Sequence, residues 1–515
     1  MGKISGGGIL SAVMMAVTVA AAVYTGGATA WAAAGWGAAA GAASLVATSM
    51  MTALPGNMKG YGDSASTPNR TTGPQTGLPI VYAGQMPHKD TSNGSFVLLG
   101  SIVPWFNVKD NDSQYLFTEH AIAYGGVQKY INQIYIDNEP ILKDGVAITS
   151  DGIVDTGYFI DKYKNNLQLE VRFGGNYTST KSLAQQYAGP KWTDKFLGKG
   201  IVSISTVIKK DQSSLENSVL VNDNYTLQVE MKGLVITDLV DLQQRACSNA
   251  PSQLYDYLTN TTYGMGLDPS LIDLPSFRSA AQYCQTNQYW SNGAISYSES
   301  FKSNCEKMLQ TFGGITYIHA GKIYLTIDVK GLPVASFDES TVFGSVQVTT
   351  SGSTDYYNTI DASYKNAYSR YTNDVLRIPS DISRDDVIRS DGRVIALARD
   401  YTWVYDKDQL SKLVNIELLK SKYSQNTIVF TTSEGWDLKT WDIINVKLDE
   451  FHINGQYRVL AKDLASTNDS IGYCQLTCVE YNPAMYDGVD PGVWSPNGDI
   501  NSVITVQPPE SPRII

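Results

Sequence analysis

The chain has 515 residues, of which 43% are hydrophobic and 17% charged, so it is long enough for several domains and too apolar for disorder to be expected. A net charge of −11 and a pI of about 4.9 argue against tight binding to a phosphate backbone, which requires clustered Lys and Arg. Tyrosine outnumbers phenylalanine by 32 to 13, which favours strands with polar faces. The composition therefore predicts a mainly β protein with a few helices.

The first predicted element is uncharged, because no Asp, Glu, Lys, Arg or His occurs between Lys3 and Lys59. Two apolar segments, 9–24 and 28–54, are separated by a Gly-Gly pair, and we expect residues 1–55 to form a hydrophobic, Ala/Gly-rich helical hairpin. We expect this hairpin to act as a plug or as a membrane-active segment. The residues expected to carry this role are Ile9, Leu10, Val13, Val17, Trp31, Trp36, Leu45 and Met50.

Three interpretations of this segment remain open. It resembles a secretory signal peptide with a cleavage site at Ala28-Thr29-Ala30, although cleavage there would leave about 25 further uncharged residues. A permanent membrane anchor is the second interpretation, but a helix over 9–24 reaches only roughly 24 Å against a hydrocarbon core of about 30 Å. The third is a plug that stays buried within an oligomer until it is released.

The remaining chain divides by composition into five segments. Residues 56–77 are rich in Gly, Ser, Thr and Pro and are predicted to be a linker. Short strands between turn signals predict a β-rich domain over 78–235, and helical spacing followed by a hairpin predicts an α+β domain over 236–330. Residues 331–485 are predicted to be β-rich with one helix near 408–419, and 486–515 an extended tail.

The sequence contains no evident catalytic motif. The four histidines lie far apart and outside zinc-ligand patterns, so we interpret them as turn or core residues. The five cysteines do not form a disulfide framework and are expected to be buried free thiols. Adjacent carboxylates such as Asp385-Asp386 are expected by chance among 50 acidic residues. No catalytic, cofactor-binding or metal residue is predicted, and no cofactor.

One short segment of the sequence carries a specific resemblance to a known family. Residues 255–266 read YDYLTNTTYGMG, which resembles the end of a helix and the following turn in the central hub, or tip attachment, proteins of tailed bacteriophages, the protein J family of lambda-like phages. The residues that carry this family motif, with a structural role, are Tyr263, Gly264, Met265 and Gly266. The similarity continues in order over about residues 115–480.

Other segments extend or limit the resemblance. The hydrophobic segment followed by LPIVYAG at 78–84 resembles the C-terminal half of tail assembly protein I of the same phages. The chain departs from the hub family at Tyr124, where Glu is usual, and at Trp441-Asp442, where a Pro-Gly-Asp turn is common. Many relatives also continue into a receptor-binding end, so a separate fibre or tip protein is expected to bind the receptor.

The resemblance implies a multi-domain tail-hub architecture and a structural, non-enzymatic virion protein at the tail tip. Three copies would close the distal end of the tail tube and open for DNA ejection, in contact with distal ring proteins and the tape measure protein. Genomic DNA would pass through without specific binding, and the N-terminus would contact the host membrane. The alternatives are an exported bacterial surface or adhesive β protein and, less favoured, a tail-associated wall-degrading enzyme.

Overall fold

The computed structural model describes residues 70–71, 77–84, 95–109, 114–210, 225–295, 299–350, 356–380, 385–464 and 472–487. The predicted hairpin over 1–55 lies outside these residues, and so do most of the predicted linker and of the extended tail. The described part is mainly β with some helices, which confirms that part of the predicted fold class. No helix among the described residues is long and apolar enough to span a membrane.

The first half of the described chain is built on a nine-stranded sheet. Its strands run in the order β6-β5-β10-β3-β4-β9-β8-β7, and β1 pairs in parallel with β3. The strands are β1 (Arg70–Thr71), β3 (Val97–Lys109), β4 (Gln114–Tyr124), β5 (Ile131–Ile136), β6 (Glu139–Pro140), β7 (Gly152–Ile153), β8 (Leu167–Phe173), β9 (Ile201–Lys210) and β10 (Leu227–Met231). The pairing of β1 shows that part of the predicted linker joins the sheet.

Side-chain alternation gives this sheet two covered faces. Along β9, Val202, Ile204 and Ile208 point into the main hydrophobic core, whereas Ser203 and Ser205 point to the other face. That second face is covered by a short helix, α2 (Ser182–Ala188), and by the loop that follows it. A one-turn helix, α1 (Asp161–Lys164), precedes β8.

The helical part of the fold follows the sheet. It contains α3 (Ala250–Thr259), α4 (Leu274–Thr286), α5 (Phe301–Gln310), the strand pairs β11 (Ile236–Thr237) with β12 (Gln244–Arg245) and β14 (Gly314–His319) with β15 (Lys322–Ile327), and β13 (Gly293–Ile295). The β14–β15 hairpin turns through Ala320 and Gly321, both at positive φ, as a two-residue hairpin turn requires. β2 (Ile80–Tyr82) pairs with β13, more than 200 residues away.

The C-terminal part contains two further sheets and two helices. Six strands run in the order β16-β22-β23-β24-β21-β17, and three in the order β19-β18-β20. The elements are β16 (Ala335–Asp338), β17 (Val342–Thr350), β18 (Thr359–Asn366), β19 (Thr372–Ile378), α6 (Asp386–Asp391), β20 (Ala396–Tyr401), α7 (Lys407–Tyr423), β21 (Asn426–Thr432), β22 (Ile443–Leu448), β23 (Ile453–Leu464) and β24 (Cys474–Tyr481).

The hydrophobic cores do not follow the sequence segments. One core runs from Ile80 to Val414 and joins the nine-stranded sheet, the helical unit, the three-stranded sheet and α7. A second core fills the six-stranded sheet, from Phe337 to Cys478. The main core therefore crosses both 235/236 and 330/331, the limits drawn from composition. At the C-terminal end, a short turn, Pro483–Tyr486, buries Met485 and Tyr486 against α7, so the chain is still packed at the predicted start of the tail.

Candidate functional site: the motif turn and its joints

The two groups of predicted site residues differ in what the structure describes. Ile9, Leu10, Val13, Val17, Trp31, Trp36, Leu45 and Met50 all lie outside the described residues. Tyr263, Gly264, Met265 and Gly266 lie together in the turn that follows α3, and all four are described. The motif turn, defined here as residues 260–267, is therefore the site that can be built from its atoms.

Hydrogen bonds that close back onto the end of α3 hold the motif turn. The side chain of Asn260 accepts from the backbone N–H groups of Thr262 (2.9 Å) and Tyr263 (3.3 Å). The N–H of Met265 then donates to the carbonyl of Tyr257 at 2.9 Å, and that of Leu267 to Leu258, also at 2.9 Å. The last carbonyls of the helix, which have no partner within it, are satisfied in this way.

The two glycines of the motif are needed for different reasons. A Cβ atom on Gly264 would lie 2.1 Å from the carbonyl oxygen of Tyr257 and 2.8 Å from that of Asn260, so no side chain fits. Gly266 has room, since the nearest atom would be 3.5 Å away, but its φ of +65° is a conformation that L-residues rarely adopt. Space limits the first position and backbone conformation limits the second.

Tyr263 connects the motif turn to the end of α3 and to the nine-stranded sheet. Its hydroxyl donates to Asp256 at 2.8 Å, and the hydroxyl of Tyr82 on β2 donates to the same carboxylate oxygen at 2.7 Å. Burial raises the pKa of Asp256, although the two tyrosine hydrogen bonds lower it in part. Burial also raises the pKa of Tyr263, reinforced by Asp256. The ring of Tyr263 packs edge-on against Tyr124 of β4 at 5.5 Å.

The segment carrying Tyr82 lies between the sheet and the helical unit. The N–H of Tyr124 donates to Pro79 at 3.0 Å, and that of Leu234 donates to Val81 at 2.8 Å. On the other side, the N–H of Gly84 donates to the hydroxyl of Ser248 at 2.9 Å. Together with Asp256, these bonds fix residues 79–84, the motif turn and the nine-stranded sheet to one another. We call this arrangement the tyrosine–aspartate joint.

A second joint centres on Asp328, whose side chain has no exposed surface. Asp328 forms ion pairs with Lys420 of α7 and with Arg458 of β23, and it accepts hydrogen bonds from Trp441 (Nε1, 3.2 Å) and Tyr486 (hydroxyl, 2.7 Å). Burial alone would raise the pKa of Asp328, but the charges of Lys420 and Arg458 outweigh it and the net direction is down. This ionic joint links the two hydrophobic cores.

Trp441 lies where the sequence departs from the family that it resembles, and its backbone conformation is unusual. Its φ of +80° is the left-handed conformation that glycine adopts easily, at the place where a Pro-Gly-Asp turn is common. The guanidinium group of Arg458 lies 5.0 Å from the centre of the Trp441 ring, and the indole nitrogen donates to Asp328. The ionic joint thus holds the tryptophan in a backbone conformation that is unfavourable by itself.

A third joint connects the three-stranded sheet to the nine-stranded sheet. Tyr371, at the tip of the β18–β19 hairpin, donates its hydroxyl to Glu230 of β10 at 2.9 Å. Glu230 also accepts from Tyr135 and from Asn132. Burial raises the pKa of Tyr135 to about 12, with Glu230 adding to the effect. Arg370 and Tyr371 both have positive φ, which turns the hairpin sharply towards the larger sheet.

The residues weighed for catalysis have structural positions. Asp385 accepts from the N–H groups of Val387 and Ile388 and caps α6. All five cysteines are buried and unpaired, which confirms that prediction. His120 lies in the core, where it contacts Ser101, Thr206 and Tyr225, and His319 lies at the end of the β14–β15 hairpin. Among the described residues, no group of three His, Cys, Asp or Glu side chains could hold a metal ion.

The sequence indicates the motif turn but gives little sign of the three joints. Asp256 and Tyr82 both lie within phrases quoted for the resemblance, yet nothing in the sequence indicates that they meet across 174 positions. For the ionic joint, the only signal was the departure at Trp441-Asp442. Lys420 and Arg458 look like ordinary surface charges in the sequence, because burial is not visible there.

Comparison with solved structures finds similarity in fold to three chains, to different degrees. A chain from the virion of a native gene transfer agent particle superposes with a TM-score of 0.54 and 11% sequence identity, covering 87% of this chain and 98% of that one. A tail protein from Neisseria meningitidis MC58 matches at 0.29 (9% identity, 80% and 99% covered), and the 43 kDa tail protein of prophage MuSo2 from Shewanella oneidensis at 0.28 (12%, 80% and 99%).

The gene transfer agent chain shares the fold of this chain. The TM-scores of the other two structures are too low to support any conclusion. No family model matches the sequence. No curated protein matches it either.

Proposed function

We propose that this chain is a structural protein of a tailed virion and forms the central hub that closes the distal end of the tail. The observation that carries the proposal is the fold shared with a gene transfer agent virion chain, which extends over 98% of that chain. The YGMG turn, which resembles the hub family, supports the finer assignment to the hub, and its geometry accounts for Tyr263 and both glycines.

The three joints suit a subunit whose parts must keep fixed relative positions. Each joint ties elements that are distant in sequence through a buried or half-buried carboxylate with several partners: Asp256, Asp328 and Glu230. Buried carboxylates cost stability unless every partner is in place, and a fully satisfied network favours one arrangement of the parts. A tail tip that must stay closed until it meets the host needs such a fixed arrangement.

Three copies around the tail axis are the assembly we propose, because the resemblance to the hub family implies this number and a closed ring has rotational symmetry. Two strands are exposed on both faces and lie at sheet edges, β17 and β19. Such edges offer unpaired backbone groups to a neighbouring subunit or ring protein. The other partners in this proposal are the distal tube rings, the tape measure protein and a separate receptor-binding protein, and the acidic chain would let DNA pass without binding it.

The uncharged N-terminal segment completes the proposal as a plug. Three copies of the 9–54 segment would bundle in or below the tail lumen, since burial of apolar area contributes about 25 cal/mol per Å². Receptor engagement would release them towards the host envelope.

Placing a charge in this bundle tests the plug. The substitution Ala38→Asp should lower infectivity or DNA ejection by at least tenfold, because an unpaired carboxylate in apolar surroundings is costly. The fold of the described domains should be unchanged, as judged by circular dichroism, and Ser64→Asp in the polar linker is the matched control. Normal infectivity of the Ala38→Asp particle would refute the plug.

The location is tested by immunogold electron microscopy of intact particles with antibodies raised against the full chain. The proposal expects label at the end of the tail farthest from the head. Label along the tube or on the head, or its absence from washed particles, would refute the hub assignment. N-terminal sequencing of the chain from particles separates the alternative of an exported surface protein, because the hub retains the residues that precede Trp31 and Trp36, whereas a cleaved chain starts near residue 31.

A further inference from the structure

A pocket of about 290 Å³ opens on the second face of the nine-stranded sheet, beside α2 and the loop over 189–200. We propose that this pocket binds one neutral pyranose sugar unit. The residues that line it and carry the argument are Trp105, Glu119, Lys181, Trp192, Phe196 and Ser203. The pocket is remote from the motif turn, and the proposal does not depend on the virion assignment.

The floor of the pocket is a buried ion pair. Lys181 Nζ lies 2.8 Å from Glu119 Oε1, and both side chains are more than nine-tenths buried. The second oxygen of Glu119 accepts from the hydroxyl of Ser205, the residue paired with Glu119 across β4 and β9. Glu170, on the next strand, accepts from two backbone N–H groups at the start of α2. The surrounding network therefore holds the pair in place before any ligand arrives.

One buried polar atom on this floor has no protein partner among the described residues. The hydroxyl of Ser203 is shielded from solvent and makes no hydrogen bond, although Ser203 lines the pocket. Lys181 can donate three hydrogen bonds, and Glu119 can accept several more than the two it receives. An unpaired buried hydroxyl costs about 1 to 3 kcal/mol, which a ligand hydroxyl in the pocket would recover.

The walls of the pocket are aromatic. Pro104 lies at a bulge in β3, where the register with β4 shifts between Ile102 and Trp105, and the bulge directs the Trp105 ring over the sheet face. Trp105 packs edge-on against Trp192, with ring centres 5.5 Å apart, and Trp192 in turn lies 5.3 Å from Phe196. The indole nitrogen of Trp192 already donates to Thr180, so this ring offers apolar surface rather than a free donor.

This combination selects against the simpler classes of ligand. On the floor the charges of Glu119 and Lys181 offset each other, so the floor attracts neither a simple anion nor a simple cation. Lys191, the other charged residue of the lining, is exposed and lies in water. A hydrocarbon would leave the buried polar atoms unpaired, which is unfavourable. A pyranose has an apolar ring face for the aromatic wall and adjacent hydroxyl groups that both donate and accept, so it matches both the wall and the floor.

The test is a titration of the full chain, in mild detergent, with methyl glucoside, methyl galactoside, methyl mannoside, methyl rhamnoside and N-acetylglucosamine. Saturation-transfer NMR and tryptophan fluorescence report the binding. Inorganic phosphate serves as the anion probe, and cyclohexanol serves as an apolar ring that carries only one hydroxyl group. We expect saturable binding of at least one sugar and none of the two other probes.

Two serine variants locate the site. Ser203→Ala removes the unpaired hydroxyl from the pocket and should weaken sugar binding about fivefold or more. Ser291→Ala is the matched control, because Ser291 also carries a buried hydroxyl without a partner among the described residues but does not line the pocket. Saturable binding of phosphate or cyclohexanol in place of sugar, no saturable sugar binding, or equal weakening by both variants would overturn the proposal.

Discussion

The substitution Gly264→Ala tests whether the motif turn is limited by space. The new Cβ would lie 2.1 Å from the carbonyl oxygen of Tyr257, and an ordinary separation of about 3.5 Å requires a backbone shift of roughly 1.4 Å. Such a shift breaks the bond from Met265 to Tyr257 and moves Tyr263 away from Asp256. At about 1 kcal/mol for the first bond and about 2 kcal/mol for the bond to a carboxylate, local stability should fall by about 3 kcal/mol.

Amide hydrogen exchange of the full chain measures this effect locally, which avoids assuming two-state unfolding of a large protein. Exchange over 255–267 should accelerate about 150-fold in Gly264→Ala, at about 1.4 kcal/mol per tenfold. Gly266→Ala is the control, because that position is limited by its φ and not by space, and it should cost about 1 to 2 kcal/mol. Equal effects of the two substitutions, or a Gly264→Ala cost below about 1 kcal/mol, would refute the reasoning.

Three further predictions concern buried ionisable groups. Burial raises the pKa of folded Asp256, so the contribution of this group to stability is fully present below the ordinary aspartate pKa of about 3.9 and is lost as pH rises through the higher folded value. Asp256→Asn should abolish this part of the pH dependence of stability in denaturation curves. An unchanged pH dependence in the variant would contradict this reasoning. Asp328→Ala should lower the free energy of unfolding in urea by about 3 to 5 kcal/mol, because it leaves Arg458 buried without a counterion. Asp361→Ala, which breaks a more exposed ion pair, should lower it by less than about 1 kcal/mol. Similar losses in the two variants would show that the ionic joint is not buried. Burial raises the pKa of Cys247 to about 12, so the native chain should react with iodoacetamide far more slowly than the unfolded chain, and rapid labelling of native Cys247 would contradict its burial.

Strands with clear apolar periodicity were predictable from the sequence. The residues 131–136, 167–173 and 443–448 have the composition typical of strands, and in the structure they are β5, β8 and β22. The sequence does not indicate β4, because Glu119 and His120 interrupt its apolar pattern. Both are buried by partners that are distant in sequence, Lys181 and Tyr225. β19 was not predicted either, since it is exposed on both faces and carries no alternation. Burial by distant partners decides β4, and pairing with β18 decides β19, whereas local propensity decides neither strand.

The candidate site divides in the same way. A short segment of sequence indicates the motif turn. The need for glycine is also local, because it follows from contacts within ten residues at position 264 and from the positive φ at position 266. The partners that make the turn a joint, Tyr82 and Tyr124, come from other parts of the chain. Their approach depends on β2 pairing with β13, which no periodic pattern specifies.

The copy number and position of the chain in the intact particle test the central claim most directly. Cryo-electron microscopy of the tail, reconstructed without imposed symmetry, should show three copies of this fold around the tail axis at the distal end. The mass of this ring should be three times the 56.2 kDa of one chain. A single copy, rings repeated along the tube, or density away from the tail tip would contradict the account.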